Sequence, residues 1–166
     1  MSGTRHSIAI TGDETGLLKL IDTNESGKVC TYGGQDRSQA VKGLSWFSTD
    51  SFAVGRANGA VEQWGYGYSE DEGHDLVLLN TFGGELDNIV NITSIPQTSG
   101  DGGVSMLAFS EEGECAMYNM KSGEDAEPTM FSVRGPLSCC VSAHDSRALF
   151  GGKENDAIMY DLNATK

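Results

Sequence analysis

A strand–turn–strand pattern that recurs four times constrains the fold of this chain more than any other feature. The copies read "TGDETGLLKLID" (11–22), "VGRANGAVEQWG" (54–65), "FSEEGECAMYN" (109–119) and "FGGKENDAIMYD" (150–161). The four turns end on Gly16, Gly59, Gly113 and Asn155. Glycine and asparagine tolerate the left-handed backbone of a tight hairpin, so each copy predicts two antiparallel strands joined by a short turn.

The spacing of the copies predicts a repeat protein. Successive turn residues lie 43, 54 and 42 positions apart, and the second strands close on Ile21, Trp64, Tyr118 and Tyr160. A period of about 40–45 residues with an aromatic residue near Asp or Asn is typical of WD-repeat β-propellers. We therefore expect one all-β domain over 1–166, with repeat cores near 6–22, 50–65, 103–119 and 147–162. An ordinary β-sandwich with coincidental spacing is the alternative.

Further apolar runs supply the other strands of each blade. The expected inner strands are "AVKGLSWF", "NIVNITSI" and "PLSCCVSA", and the expected outer strands are "GKVCTYGG", "LVLLNTFGG" and "PTMFSVRG". This predicts about four blades, of which the first lacks its inner strand and the last its outer strand. Because no Gly-His dipeptide precedes an inner strand, we expect the Trp–Ser/Thr–His–Asp network of well-formed WD blades to be missing.

The sequence shows no pattern typical of an active site. His6, His74 and His144 are scattered without metal-ligand spacing, and "EDEGHD" (70–75) predicts a solvated acidic loop. No phosphate-binding loop or catalytic triad motif is present. We therefore predict no enzyme, no catalytic residue, no metal and no cofactor; a propeller enzyme is the least favoured alternative.

Cysteine usage and hydropathy bear on the compartment. The four cysteines (Cys30, Cys115, Cys139 and Cys140) lack the spacing of a disulfide scaffold, which predicts buried free thiols in an intracellular protein. Cys139 and Cys140 are adjacent in a predicted strand and should point to opposite faces. No apolar run has membrane-spanning length, so we predict no membrane partner.

Charges divide between the two ends of the predicted blades. The net charge of −13 opposes a general nucleic-acid coat and favours partners with basic tails. Loops joining third to fourth strands are dominated by Asp22, Glu25, Glu70, Asp71, Glu72, Asp75, Glu124, Asp125 and Glu127. The opposite face collects Arg37, Lys42, Arg56, Arg134 and Lys153 beside Glu14, Asp36 and Glu154. We predict that this face binds a partner through Arg37, Lys42, Arg56, Lys153, Glu154 and Asn155; the alternative is that these charges merely decorate exposed loops.

Four ordered motifs carry a resemblance to a known family. "DETGLLKLI", "YGGQDRSQAVKGLSW", "FAVGRANGAVEQW" and "FGGKENDAIMYDL" are similar to segments of the WD-repeat ribosome-assembly factor of the eukaryotic nucleolus. The resemblance implies a seven-bladed propeller that acts as a non-enzymatic scaffold on precursors of the large ribosomal subunit. It also implies other ribosome-assembly proteins as partners, a link to an AAA-type ATPase, contact with pre-rRNA, and location in the nucleus and nucleolus.

The chain departs from the family pattern at its end. In the family the "GGxEN" repeat precedes an "RVPxW"-like motif, further blades and a basic tail, whereas this sequence ends at "LNATK". We therefore expect the N-terminal half of the ring, with an apolar sheet face open at each end. The isolated chain should self-associate through these ends, exchange strands with a copy of itself, or need the rest of the ring. The repeat alone would equally suit a WD-repeat adaptor in another nuclear or cytoplasmic complex, for instance in ubiquitin ligation or RNA processing.

Overall fold

A computed structural model describes residues 7–24, 29–33, 39–69, 73–84, 86–96, 103–121, 127–143, 146–152 and 156–165. Within these residues the chain forms fourteen antiparallel strands in four sheets, which we call blades 1 to 4. The prediction of an all-β propeller with about four blades is confirmed. In the described part of the chain, no helix is long and apolar enough to cross a membrane.

Each blade is a meander of consecutive strands. Blade 1 contains β1 Ile8–Gly12, β2 Leu18–Asp22 and β3 Val29–Tyr32. Blade 2 contains β4 Val41–Trp46, β5 Ser51–Arg56, β6 Val61–Ser69 and β7 Gly73–Phe82. Blade 3 contains β8 Ile89–Pro96, β9 Val104–Ser110, β10 Glu114–Asn119 and β11 Thr129–Ser132. Blade 4 contains β12 Leu137–Ala143, β13 Arg147–Gly152 and β14 Ala157–Asp161, followed by a 3-10 helix at Leu162–Thr165.

The four central hairpins have the same register, which confirms the repeat alignment. The residues that close the repeats pair with partners twelve positions earlier: Ala9 with Ile21, Phe52 with Trp64, Met106 with Tyr118, and Ala148 with Tyr160. The turn glycines Gly16, Gly59 and Gly113 have φ values of 81°, 87° and 98°. Each turn glycine donates its N–H to the carbonyl three residues earlier. The fourth predicted turn residue, Asn155, lies outside the described residues.

The blades are stacked face to face about their inner strands. Strand β4 lies beside β1 and β8, and β8 lies beside β12, whereas the outer strands are further apart. Three apolar cores fill the spaces between consecutive blades. Their largest fully buried side chains include Leu18 and Phe52 between blades 1 and 2, Phe82 between blades 2 and 3, and Phe150 between blades 3 and 4.

Strand order places the connections at two ends of the stack. We call the upper face the end where the Gly16, Gly59 and Gly113 turns emerge beside the connections between blades. Hydrogen bonds join these turns to the connections between blades. The N–H of Val41 donates to the carbonyl of Asp13 (3.0 Å), and the N–H of Leu137 donates to the carbonyl of Glu111 (2.8 Å). The lower face carries the other connections within blades.

The outward faces of the two end blades differ in polarity. On blade 4, Val141 and Met159 flank Leu149 in one cross-strand row and are 56% and 61% exposed. On blade 1, the equivalent surface carries the exposed row Thr11, Lys19 and Thr31. Among the described residues, the outward face of blade 4 is thus the more apolar of the two, because blade 1 combines the polar row Thr11, Lys19 and Thr31 with the half-buried pair Ala9 and Ile21.

Candidate interaction face

The upper face was predicted to hold the partner-binding residues, and the structure describes two of them. Lys42 is exposed near the start of β4. Arg56 is only 4% exposed, at the end of β5. The other four predicted residues (Arg37, Lys153, Glu154 and Asn155) lie outside the described residues. The structure thus brings Lys42 to the surface and removes Arg56 from it.

Arg56 joins blade 1 to blade 2, which corrects the prediction that it projects from an exposed loop. Its Nη1 donates to the carbonyl oxygens of Gly16 (2.8 Å) and Gln39 (3.1 Å), which belong to the blade 1 turn and to the connection between the blades. Its Nη2 donates to Oε2 of Glu62 at 2.7 Å, and the same oxygen accepts from Trp64 Nε1 at 2.8 Å. Arg56 therefore takes part in holding the end of β5 against the blade 1 turn and the connection between the blades.

A second buried polar network lies toward the lower face of the same junction. His74 Nε2 is 3.0 Å from Oδ2 of Asp22, and its Nδ1 is 2.8 Å from the Tyr66 hydroxyl. The side chains of His74 and Asp22 are 1% and 0% exposed. The burial of His74 and Asp22 corrects the prediction that they lie in exposed acidic loops, because β7 begins at Gly73 and carries His74 against blade 1. Asp75 is exposed as predicted, whereas Glu25, Glu70, Asp71, Glu72, Glu124 and Asp125 lie outside the described residues.

Outer-strand contacts support this arrangement. The Tyr32 hydroxyl donates to Oδ1 of Asp75 (2.8 Å) and accepts from the N–H of Leu76 (2.9 Å). Burial, and then the hydrogen bond to Asp75, raises the pKa of Tyr32. Burial likewise raises the pKa of Tyr66, which favours the protonated phenol.

Lys42 borders a groove of about 380 Å³ between blades 2 and 3 on the upper face. Its walls are formed by Lys42, Asn88, Ile89, Val90, Glu111 and Glu112. Asn88 has a left-handed backbone with φ of 55° at the start of blade 3. The groove thus offers one ammonium group, two carboxylates and a short apolar floor, a mixture suited to a peptide segment.

Exposed charge on the described upper face is mainly negative. Six exposed carboxylates lie there: Glu14, Asp87, Glu111, Glu112, Glu114 and Asp156. The exposed cations in the same described residues are Lys42 and Arg134. A nucleic-acid backbone requires cations that displace its counterions, so this part of the face favours a protein partner over RNA.

Sequence reasoning missed Asn88, Glu111 and Glu112 as groove residues. The glutamates were visible as the turn of the third repeat, but their approach to Lys42 depends on how blade 3 packs on blade 2. Within the described residues, no three His, Cys, Asp or Glu side chains are grouped so that they could hold a metal ion.

The four cysteines are free in the structure. Cys115 and Cys140 are buried as predicted, and burial raises the pKa of each thiol to about 12. Cys139 is exposed, which corrects the prediction for that residue and confirms that Cys139 and Cys140 point to opposite faces.

Comparison with known proteins supports the fold. No protein-family model and no curated protein matches the sequence. A solved structure of U3-55K matches with a TM-score of 0.71 at 14% sequence identity, over 94% of this chain and 43% of that one. The chain therefore has the fold of a WD-repeat propeller and spans less than half the length of that structure. Because 454 solved chains match, the fold by itself does not select one function.

Proposed function

We propose that this chain belongs to a non-enzymatic scaffold that takes part in assembly of the large ribosomal subunit. The observation that carries the proposal is the set of four ordered motifs, of which "DETGLLKLI" and "FAVGRANGAVEQW" fall on central hairpins of equal register. A match to the family motifs within true repeat units is less easily produced by chance than a match of isolated peptides. Other assembly proteins in the nucleolus are the proposed partners, with an AAA-type ATPase among them.

The proposed contact surface is the upper-face groove at Lys42, extended by Arg37, Lys153, Glu154 and Asn155. The described carboxylates oppose a direct pre-rRNA contact at this groove, so we assign it to a protein segment. Arg56 is excluded from the contact because its guanidinium is buried against blade 1.

Depletion of the endogenous protein tests the function. Sucrose gradients should show fewer mature large subunits with small subunits largely unchanged, and the protein should co-sediment with large-subunit precursors. Normal gradients after depletion would refute the assembly role. They would leave the adaptor in ubiquitin ligation or RNA processing as the function to test.

A charge reversal tests the surface. Lys42→Glu should lower co-sedimentation with precursor particles while thermal stability stays within about 0.5 kcal/mol, because the residue is exposed. Arg147→Glu, an exposed charge reversal on the lower face, is the matched control. Equal co-sedimentation of both variants and the unmodified protein would exclude the Lys42 groove.

A further inference from the structure

The inner strands of blades 2, 3 and 4 are irregular at the same place. The pairing of β4 with β5 shifts by one residue at Lys42, that of β8 with β9 at Val90, and that of β12 with β13 at Ser138. A β-bulge of this kind leaves one residue unpaired and re-aims its side chain. Each of these inner strands therefore presents one re-aimed side chain near the upper face.

Close packing of β4 on β8 brings the first two of these side chains to one groove. A Cβ atom added to Gly43 would lie 2.6 Å from both Asn91 Oδ1 and the backbone nitrogen of Ile92, so only glycine permits this approach of the two strands. Lys42 directly precedes Gly43, and Val90 directly precedes Asn91. Lys42 and Val90 both line the upper-face groove of about 380 Å³.

The exposure of this groove does not follow from a missing strand. The groove lies between blades 2 and 3, each of which has four strands. Its six lining residues fall within the described stretches 39–69, 86–96 and 103–121. It opens on the upper face, across the direction in which blades stack, so a further blade at either end of the stack would not cover it.

Opposite charges lie on the two sides of the groove. Strand β8 lies between β4 and β9, so Val90 separates Lys42 from the turn that carries Glu111 and Glu112. That turn is anchored, because the carbonyl of Glu111 accepts from the N–H of Leu137 at 2.8 Å. Neither Lys42 nor Glu112 has an ion-pair partner among the described residues, so both charges are available to a ligand.

The floor between the charges is apolar and short. Ile89 is 1% exposed and Val90 is half-buried. A volume of about 380 Å³ is near the lower end of the range of ligand pockets, roughly 300–1,000 Å³, so the groove holds few side chains. A segment that fits therefore carries one apolar side chain between two charged ones.

We propose that this groove binds an extended protein segment of mixed charge. An acidic side chain of the segment lies at Lys42, an apolar one on Val90, and a Lys or Arg at Glu112. An entirely acidic segment would meet the carboxylates and an entirely basic one would meet the ammonium group, so each would place like charges together on one side. The inference rests on the proposed function in taking this groove as the contact surface, and it adds the charge pattern of the partner.

Short fluorescent peptides of equal length test the charge pattern on the whole chain. A central Leu is flanked by Asp and Lys in the mixed peptide, by two Asp in the acidic peptide and by two Lys in the basic peptide. At about 0.15 M salt, which screens the long-range effect of the net charge of −13, fluorescence anisotropy measures each affinity. The mixed peptide should bind at least about fivefold tighter than either of the others, since one exposed ion pair contributes up to about fivefold.

The mixed peptide is made in both orders, Asp-Leu-Lys and Lys-Leu-Asp, and the tighter order gives the direction of the bound segment. The assay contains no pre-ribosomal particle, so its outcome is separate from that of the depletion experiment. Failure of the peptides to bind would leave the assembly role standing, and normal gradients after depletion would leave the groove standing.

Two charge reversals should exchange the preference. Lys42→Glu should weaken the mixed peptide about tenfold and improve the basic peptide at least about fivefold, because an attraction becomes a repulsion for one and the reverse for the other. Glu112→Lys should improve the acidic peptide at least about fivefold. A gain in affinity cannot come from poor folding. The matched controls Lys121→Glu and Glu127→Lys, at exposed positions toward the lower face, should leave all affinities within about twofold.

Three results would overturn the proposal. No binding of either mixed peptide at concentrations up to about 1 mM would show that the groove is not a docking site for such a segment. Controls that change the affinities as much as the groove variants would show that the peptides sense only the net charge. Unchanged preferences in both Lys42→Glu and Glu112→Lys would place peptide binding elsewhere on the chain.

Discussion

The junction between blades 3 and 4 differs in chemistry from the junction between blades 1 and 2. At the first, Phe109 meets Phe150 edge to face at 5.8 Å, and Phe131 stacks on Tyr160 at 4.9 Å. At the second, the apolar core around Phe52 is bordered by the Arg56 network on the upper side and by the His74 network on the lower side.

The difference bears on how each blade recognises its neighbour. Apolar burial is non-directional, so many sheets of similar shape could cover blade 3. Burying a polar group costs free energy unless the group is hydrogen-bonded. Arg56 and His74 of blade 2 therefore require a neighbour that offers acceptors at Gly16 and Asp22. We infer that the junction between blades 1 and 2 specifies its pairing, whereas the junction between blades 3 and 4 contributes mainly stability.

The largest expected effect is at the apolar junction. Phe150→Ala removes a fully buried ring that contacts Phe109 and should lower the free energy of unfolding by about 3–5 kcal/mol. Met159→Ala, on the other face of the same sheet and 61% exposed, is the control and should cost less than about 1 kcal/mol. Denaturant titration measures both, and similar losses for the two variants would mean that blade 4 does not pack as described.

The next effect is at the polar junction. Arg56→Ala leaves Glu62, whose side chain is 14% exposed, without its cation. The free energy of unfolding should therefore fall by about 3 kcal/mol. Arg56→Met with Glu62→Gln removes both charges while keeping an acceptor for Trp64, and should recover at least about 1 kcal/mol of that loss. A double variant no more stable than Arg56→Ala would contradict the role of the ion pair.

Sequence periodicity predicted the local part of this structure well. Gly16, Gly59 and Gly113 lie in the predicted turns because a left-handed backbone position is a local requirement that the sequence displays directly. Arg56 and His74 were misplaced because their burial depends on residues 40 and 52 positions earlier in the chain. No local pattern distinguishes an arginine that ends a strand in solvent from one that ends it against a neighbouring blade.

A smaller effect concerns the thiols of the apolar junction. Cys115 and Cys140 have pKa values raised by burial to about 12 from 9.0. The unfolded thiols ionise first as the pH rises, so their stabilising contribution is complete below about pH 9 and is lost progressively toward pH 12. At one unit above pH 9 the loss should be about 1 kcal/mol for each thiol.

Alkaline unfolding curves check this expectation. The double variant Cys115→Ala with Cys140→Ala should lose less stability between pH 9 and 12 than the unmodified protein. Cys139→Ser, at an exposed position, should lose as much as the unmodified protein. In native protein at neutral pH, a thiol reagent should modify Cys139 before Cys115 and Cys140. Rapid labelling of all these cysteines without denaturant would show that the junction opens easily.

The smallest effect on stability is expected at the outward face of blade 4. Val141→Lys replaces a side chain that is 56% exposed, so thermal stability should change by less than about 0.5 kcal/mol. Association should respond more strongly, because burying the exposed parts of Val141 and Met159 against another sheet would contribute about 1–2 kcal/mol for each side chain. Sedimentation over a range of concentrations should show self-association of the unmodified chain and a largely monomeric Val141→Lys variant.

The two end blades provide the internal control for that measurement. Thr11→Lys changes a polar row on the outward face of blade 1 and should leave association unaltered. If Val141→Lys alone dissociates the chain, copies meet through their blade 4 faces, where apolar surface is buried on both sides. If Thr11→Lys dissociates it as well, blade 4 of one copy meets blade 1 of the next, and burial of the polar row Thr11, Lys19 and Thr31 is tolerated. A monomer at all concentrations would show that the apolar row alone is too small to hold two copies together.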